Sequence, residues 1–196
     1  MIPVTGATLL AVAPRFASPW AERQRAICEA IGDRLAPLLS QYHISTPLRI
    51  AHFIGQTCHE SAGFRTTEEF ASGADYEGRR DLGNVVPGDG VRYKGRGLMQ
   101  LTGRANYRRL GDLLNLPLEA QPEMAAAPLL SVEIACVYWR DRSINAAADR
   151  DDIHSVTMRI NGGYNGLSDR LHYTTRAKAE IARLPDFSDV VAGVTR

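Results

Sequence analysis

Residues 72–97 read SGADYEGRRDLGNVVPGDGVRYKGRG, with seven glycines and no apolar periodicity. Glycine weakens helix and strand alike, and nothing here builds a continuous buried face. The stretch predicts a long loop, with room for a short hairpin. Loops of this length are either functional or disordered. This one lies between two motif-like segments, which favours function. The remaining chain must then build the core around it.

On both sides the pattern is helical. SPWAERQRAICEAIGDRLAPLLSQY predicts a helix with Ser18 as N-cap and Pro19 at the first position. Ile27, Ile31, Leu35, Leu38 and Tyr42 share its face, and Pro37 is placed to kink its last turns. TPLRIAHFIGQTCHES predicts a second helix, capped by Thr46 and stopped at Gly63, with a stripe of Leu48, Ala51, Ile54 and Cys58. GRANYRRLGDLLNL, LSVEIACVYWRDRSI and IHSVTMRI are three more helices. A last one runs from cap Ser168 through DRLHYTTRAKAEIARL, and the tail from residue 186 is expected to fray. The fold class is mainly α with little strand. With 196 residues, 44% of them hydrophobic, a single domain is expected.

The net charge is +1, from 23 basic and 22 acidic residues, which gives no global attraction to nucleic acid. Arg104, Arg108 and Arg109 read as a solvated helix face. Cys28, Cys58 and Cys136 are too few and too widely spaced for a disulfide framework or a zinc pattern. They read as buried free thiols of a protein kept in a reducing compartment. The apolar run Ala7–Ala13 has no basic residue before it, which does not suit a secretory signal. The expectation is a protein made in the cytoplasm without a signal peptide and without membrane insertion.

The chemistry gathers in HESAGFRTTEE, residues 59–69. A zinc peptidase would carry a second histidine where Gly63 stands. His52 and His59 could pair on one helix, but no third ligand is evident, so no metal and no cofactor are expected. His59 reads as a supporting residue. A glycosidase needs one carboxylic acid to protonate the leaving oxygen and a second carboxylate as nucleophile or base. On a continuous helix Glu60 and Glu69 would lie about 13.5 Å apart along the axis, on opposite faces. The chain must therefore turn between them, at Ala62-Gly63. The segment YKGRGLMQLTGRANY, residues 93–107, adds groups that hydrogen-bond sugar hydroxyls and amides: Tyr93, Gln100, Thr102, Asn106 and Tyr107. Gly95 and Gly97 permit close backbone approach. The spacing fits neither a dinucleotide fingerprint nor a phosphate loop.

HES followed by TEE, then YKGRGLMQLTGRANY, then INGG and DR, resembles the family 19 glycoside hydrolases over about residues 48–175. That family includes plant and bacterial chitinases and many phage endolysins. The resemblance implies a two-lobed, lysozyme-like helical domain with a substrate cleft and an inverting mechanism. It makes Glu60 the general acid. The general base falls among Glu68, Glu69 and Glu77, with Glu69 favoured by the endolysin pattern. Thr102 would help hold the catalytic water. Gln100, Asn106 and Asn161 would contact substrate, as Tyr93 would from its place in the polar row. Arg170 would pair with a catalytic glutamate. Phe64 or Tyr107 would give Glu60 an apolar neighbour.

The compact length resembles the endolysin branch, one catalytic domain over 1–196 with no separate wall-binding module. The implied substrate is the β-1,4 bond between N-acetylmuramic acid and N-acetylglucosamine in peptidoglycan glycan strands. Chitin is the sister substrate. A monomer made in the bacterial cytoplasm and admitted to the wall by a holin is the expected setting. A wall-binding module without catalysis and a zinc amidase are the rival readings.

Overall fold

The computed structural model describes residues 1–185, and the tail expected to fray lies outside the described residues. The apolar run Ala7–Ala13 forms a helix, α1 (Gly6–Val12), closed by a capping box between Thr5 and Thr8. It sinks Leu9, Val12 and Ala13 into the core. The next helix is broken where the sequence reading made it continuous. α2 (Trp20–Ile31) ends at Gly32, whose φ of 52° breaks the α-helical run. A 3₁₀ turn over Gly32–Arg34 leads into α3 (Leu35–Gln41). Pro37 thus falls in the first turn of α3, where its missing N–H costs nothing, and kinks no helix. Ser18 is not the cap. Pro19 takes that position, and the Ser18 hydroxyl donates to Glu22 at 2.7 Å.

α4 (Pro47–Glu60) begins as expected, with Thr46 Oγ1 accepting from the Arg49 amide at 3.2 Å. Every residue from Ile50 to Cys58 is buried, so α4 is the central rod of the molecule rather than an amphipathic surface helix. α6 (Arg104–Leu114), α7 (Pro128–Asp141), α9 (Ile153–Asn161) and α10 (Leu167–Ile181) follow, with α5 (Asp89–Arg92) and α8 (Asn145–Ala148) as single turns. The N-cap of α10 is Gly166, two residues before the expected Ser168.

Two apolar cores form. The larger joins α1 to α4 with α9 and α10 and includes an edge contact between Phe53 and Trp139, centroids 5.5 Å apart. The smaller gathers Tyr93, Tyr107, Leu110, Leu118 and Ala125. α7 belongs to both: Val132, Ala135, Cys136 and Trp139 face the first, Ile134 and Val137 the second. Buried on two sides, α7 is the wall shared by the two cores.

The glycine-rich stretch holds no hairpin. It carries short helical turns at Ala74–Tyr76 and Arg80–Leu82 and then α5. Side chains staple it. Glu77 accepts from the amides of Gly88 and Gly90 at 2.7 and 2.8 Å, and Asp89 accepts from those of Val85 and Val86. The extended pairings lie at its flanks, as isolated bridges of Arg96 with Glu68 and with Leu101. The three cysteines are buried and free, and burial pushes the Cys28 thiol up to about 12. Among the described residues no helix is long and apolar enough to cross a membrane.

Candidate active site

The last residue of α4 is Glu60. Beyond it the Ser61 hydroxyl donates to Thr57 O at 2.7 Å and accepts from the Phe64 amide at 3.0 Å. Ala62, Gly63 and Phe64 follow in the left-handed region, at φ 51°, 80° and 59°. Two non-glycine residues held there cost about 1–3 kcal/mol each, strain that functional sites often store. Fully buried Phe64 anchors the turn, and Gln24 clamps it by donating to Gly63 O at 2.6 Å and Pro14 O at 3.0 Å. A Cβ at Gly63 would stand 2.7 Å from the Pro14 ring, so only glycine fits. Here the chain leaves the helix and carries Glu69 round to the second lobe, where its amide donates to Gly95 O at 3.0 Å.

Glu60 is held by Arg170, whose Nη2 donates to Oε1 at 2.6 Å. The guanidinium is 1% exposed and also reaches Gln56 Oε1 at 2.6 Å and Asn165 O at 3.0 Å. Its planar fork thus ties α4 to the start of α10 and fixes the carboxylate in one place. His59 lies against Gly166, and burial with the charge of Arg170 holds its ring below the usual histidine range. His52 is engaged with Asp151 at 2.7 Å. Among the described residues no three His, Cys, Asp or Glu side chains converge on a metal position.

The three base candidates separate by their partners. Glu68 is ion-paired to Lys94 and to Arg96, both at 3.2 Å. Both Glu77 oxygens are spent on the loop amides. Glu69 receives one hydrogen bond on Oε2, from Tyr76 at 3.0 Å, while its buried Oε1 has no protein partner. Gly95 makes room beneath: a Cβ there would meet Gln100 Oε1 at 2.7 Å and Glu69 Oε2 at 3.1 Å. Glu69 and Gln100 therefore converge over one glycine.

Gln100 sits at φ 51° with its Nε2 donating to Gly97 O at 3.0 Å. Thr102 Oγ1 donates to Gln100 O, and Asn106 Nδ2 donates to Thr102 O. These three residues line a cavity of about 190 Å³ together with Tyr138 and Arg142 of the α7 end. Tyr138 donates to Ile160 O at 2.7 Å; burial raises its pKa, and the charge of Glu60 adds to that rise. Arg142 lies over its ring at 3.4 Å. Sequence reading missed Tyr76, Tyr138 and Arg142, since nothing in their local pattern marks them. Asn161 ends α9, exposed, with no hydrogen bond on its amide among the described residues.

Two expected contacts are corrected. Tyr93 is 3% exposed and its hydroxyl donates to Glu119 O at 3.0 Å, so it braces the small lobe and borders the hollow beside Glu119 rather than the cavity of Gln100, Thr102 and Asn106. Tyr107 is fully buried and donates to Lys94 O at 2.8 Å, in the second core rather than as the apolar neighbour of Glu60. The basic run is ion-paired: Arg104 and Arg108 grip Glu119, holding its carboxyl down at about 2, and Arg109 pairs with Asp141. That clamp lines a hollow of about 790 Å³ on the other face of α6. The hollow contains none of the candidate glutamates and, of the polar row, only Tyr93, so chemistry and not volume marks the site.

No family model matches the chain. A glycosyl hydrolase family 19 domain-containing protein of Haemophilus influenzae is 41% identical over 96 residues, 48% of this chain and 46% of that protein. An Arabidopsis thaliana endochitinase is 34% identical over 115 residues, 58% of this chain and 39% of its own. The chain thus spans less than half the length of the curated relatives it matches. The fold is that of chitinase C from Streptomyces griseus, with a TM-score of 0.66 at 20% identity over 95% of this chain and 80% of that one. The class IV chitinase of Zea mays gives 0.65 at 17% identity, over 93% and 94%. The chain is thus similar over about half of its length to family 19 glycoside hydrolases, and over nearly all of it shares the fold of chitinases.

Proposed function

We propose that the chain hydrolyses the β-1,4 bond between N-acetylmuramic acid and N-acetylglucosamine in peptidoglycan, with inversion, as a phage-type endolysin. Glu60 protonates the leaving oxygen. Glu69 takes a proton from the water that attacks the opposite face of the sugar. The observation that carries this division is the contrast between the two carboxylates. Glu60 is fixed by a buried guanidinium, whereas Glu69 keeps one oxygen without any protein partner. An oxygen in that state is suited to accept a proton, and Glu68 and Glu77 are not. Thr102 steadies the water, and Gln100, Asn106 and Asn161 hold the sugar hydroxyls and acetamido groups.

In this reading the protein is made in the bacterial cytoplasm, works as a monomer and reaches the wall through a holin. A second reading, chitin as substrate, is favoured by relatives and neighbours that are named chitinases. Mass spectrometry of fragments from purified sacculi and from chitin oligomers separates the two. The proposal expects disaccharide-peptides ending in reducing N-acetylmuramic acid. Cleavage of chitin alone would move the chain to the second reading. Free stem peptides would sink both.

Substitution tests the choice of base. Glu69→Gln should lower turnover by about 10²–10⁴-fold, the usual worth of general base catalysis, with KM little changed. Glu68→Gln should cost less than about tenfold, because it removes two partly exposed ion pairs. The reverse order of effects would make Glu68 the base.

A further inference from the structure

The patch lies beside the turn that joins the two glutamates. Arg65 places its guanidinium 5.0 Å from the ring centre of Phe16, 5.2 Å from Trp20 and 5.8 Å from Phe70. Trp20 and Phe70 meet edge to face at 5.6 Å, and Arg23 lies over Trp20 at 5.5 Å. Phe70 is 61% exposed, an unusual state for a ring that a core could have absorbed. Among the described residues neither Arg65 nor Arg23 has a carboxylate within ion-pair distance, and the buried Nε of Arg65 has no acceptor. Arg15, exposed on the neighbouring hollow with Phe16, is equally without one. Elsewhere about half of the described arginines are ion-paired, as with Arg49, Arg104, Arg108 and Arg170. The nearby acid Glu22 is taken up by Ser18.

Aromatic faces stabilise a cation but offer its N–H groups no acceptor. What this surface lacks is therefore an anion that can also lie against rings. Its position says which anion. Phe70 follows Glu69 directly, one Cα step of about 3.8 Å from the candidate base. A glycan strand engaged at Glu69 would bring the substituents of its sugars toward this part of the surface. In peptidoglycan those attachments are peptides that bear carboxylates. Chitin carries none.

We propose that Arg65, Arg23 and Arg15, set against Phe16, Trp20 and Phe70, bind the carboxylates of the stem peptides and so select peptidoglycan over neutral glycans. This rests on the peptidoglycan reading above and adds the part of the substrate that reading leaves unassigned. The arginines supply charge-assisted hydrogen bonds, and the rings cover the apolar part of the peptide.

The test is binding, read apart from cleavage. Full-length Glu60→Gln protein is pelleted with intact sacculi, with sacculi whose peptides an amidase has removed, and with chitin. Retention on intact sacculi should be roughly tenfold stronger than on either peptide-free polymer, as expected for one or two such bonds. The advantage should vanish at high salt and in Arg65→Ala. Arg23→Ala, on the exposed side of α2, should reduce it as well and keeps the test available if Arg65→Ala does not fold. Equal retention on intact and stripped sacculi overturns the proposal. Capture by phosphatidylglycerol vesicles, lost in the same variants and without peptide dependence, also overturns it and assigns the patch to a membrane. A wild-type protein that cuts only chitin but binds in a peptide-dependent way would refute the muramidase reading and leave the patch standing.

Discussion

Glu60→Gln should lower turnover on the glycan substrate by about 10³-fold or more while the protein stays folded. Glutamine cannot deliver the proton that the leaving oxygen needs, and no neighbour replaces it. Gln56 and Arg170 stand beside it, and His59 packs away against Gly166. The amide oxygen still accepts from Arg170, so the clamp is weakened rather than emptied. Losing the charge from that hydrogen bond costs about 1–2 kcal/mol, or a few degrees of Tm for a chain of this length. Activity and thermal unfolding measured on one preparation check both halves. A folded variant with near-normal turnover would remove Glu60 from the reaction.

Arg170→Ala should be the most destabilising single substitution in the site. It removes a 1% exposed cation and leaves Glu60 Oε1, Gln56 Oε1 and Asn165 O around an apolar gap. Removing one partner of a buried pair costs about 3–5 kcal/mol. For a domain of this size that lowers Tm by roughly 10 °C. Turnover should fall as well, because the Glu60 carboxylate loses its fixed orientation. Arg170→Lys should recover part of the stability but little of the activity, since one ammonium cannot span three acceptors set for a planar fork. Calorimetry with activity assays on both variants gives the comparison. An Arg170→Ala protein as stable as wild type would mean the guanidinium is not structural.

The parts of the fold legible in the sequence were those written in local chemistry. Thr46 and Pro47 announce α4, and the apolar spacings announce α6, α7 and α9. The turn after Glu60 was legible because Gly63 offers the chain a left-handed exit. α1 was not, since seven residues give too little periodicity and its burial comes from α2 and α10. The break at Gly32 was hidden because the apolar face continues through it.

In the candidate site, sequence order singled out Glu60, Glu69, Gln100, Thr102 and Asn106 but could not tell which hydroxyls would be free. Tyr93 and Tyr107 spend theirs on backbone carbonyls 26 and 13 residues away in sequence. Tyr76, inside the glycine-rich stretch, spends its own on Glu69. Such pairings are decided by how the loop folds back, and its stapling by Glu77 and Asp89 is long-range information. The choice among three glutamates likewise became an argument only when their partners were known.

The measurement that bears most directly on the paired roles of Glu60 and Glu69 is the anomeric form of the first product. Proton NMR of an N-acetylglucosamine-containing oligomer, recorded before mutarotation, reads it directly. If Glu69 activates a water on the face opposite Glu60, the new reducing end appears first as the α-anomer. A product that appears first as the β-anomer would mean retention, and would contradict Glu69 as the base that activates water.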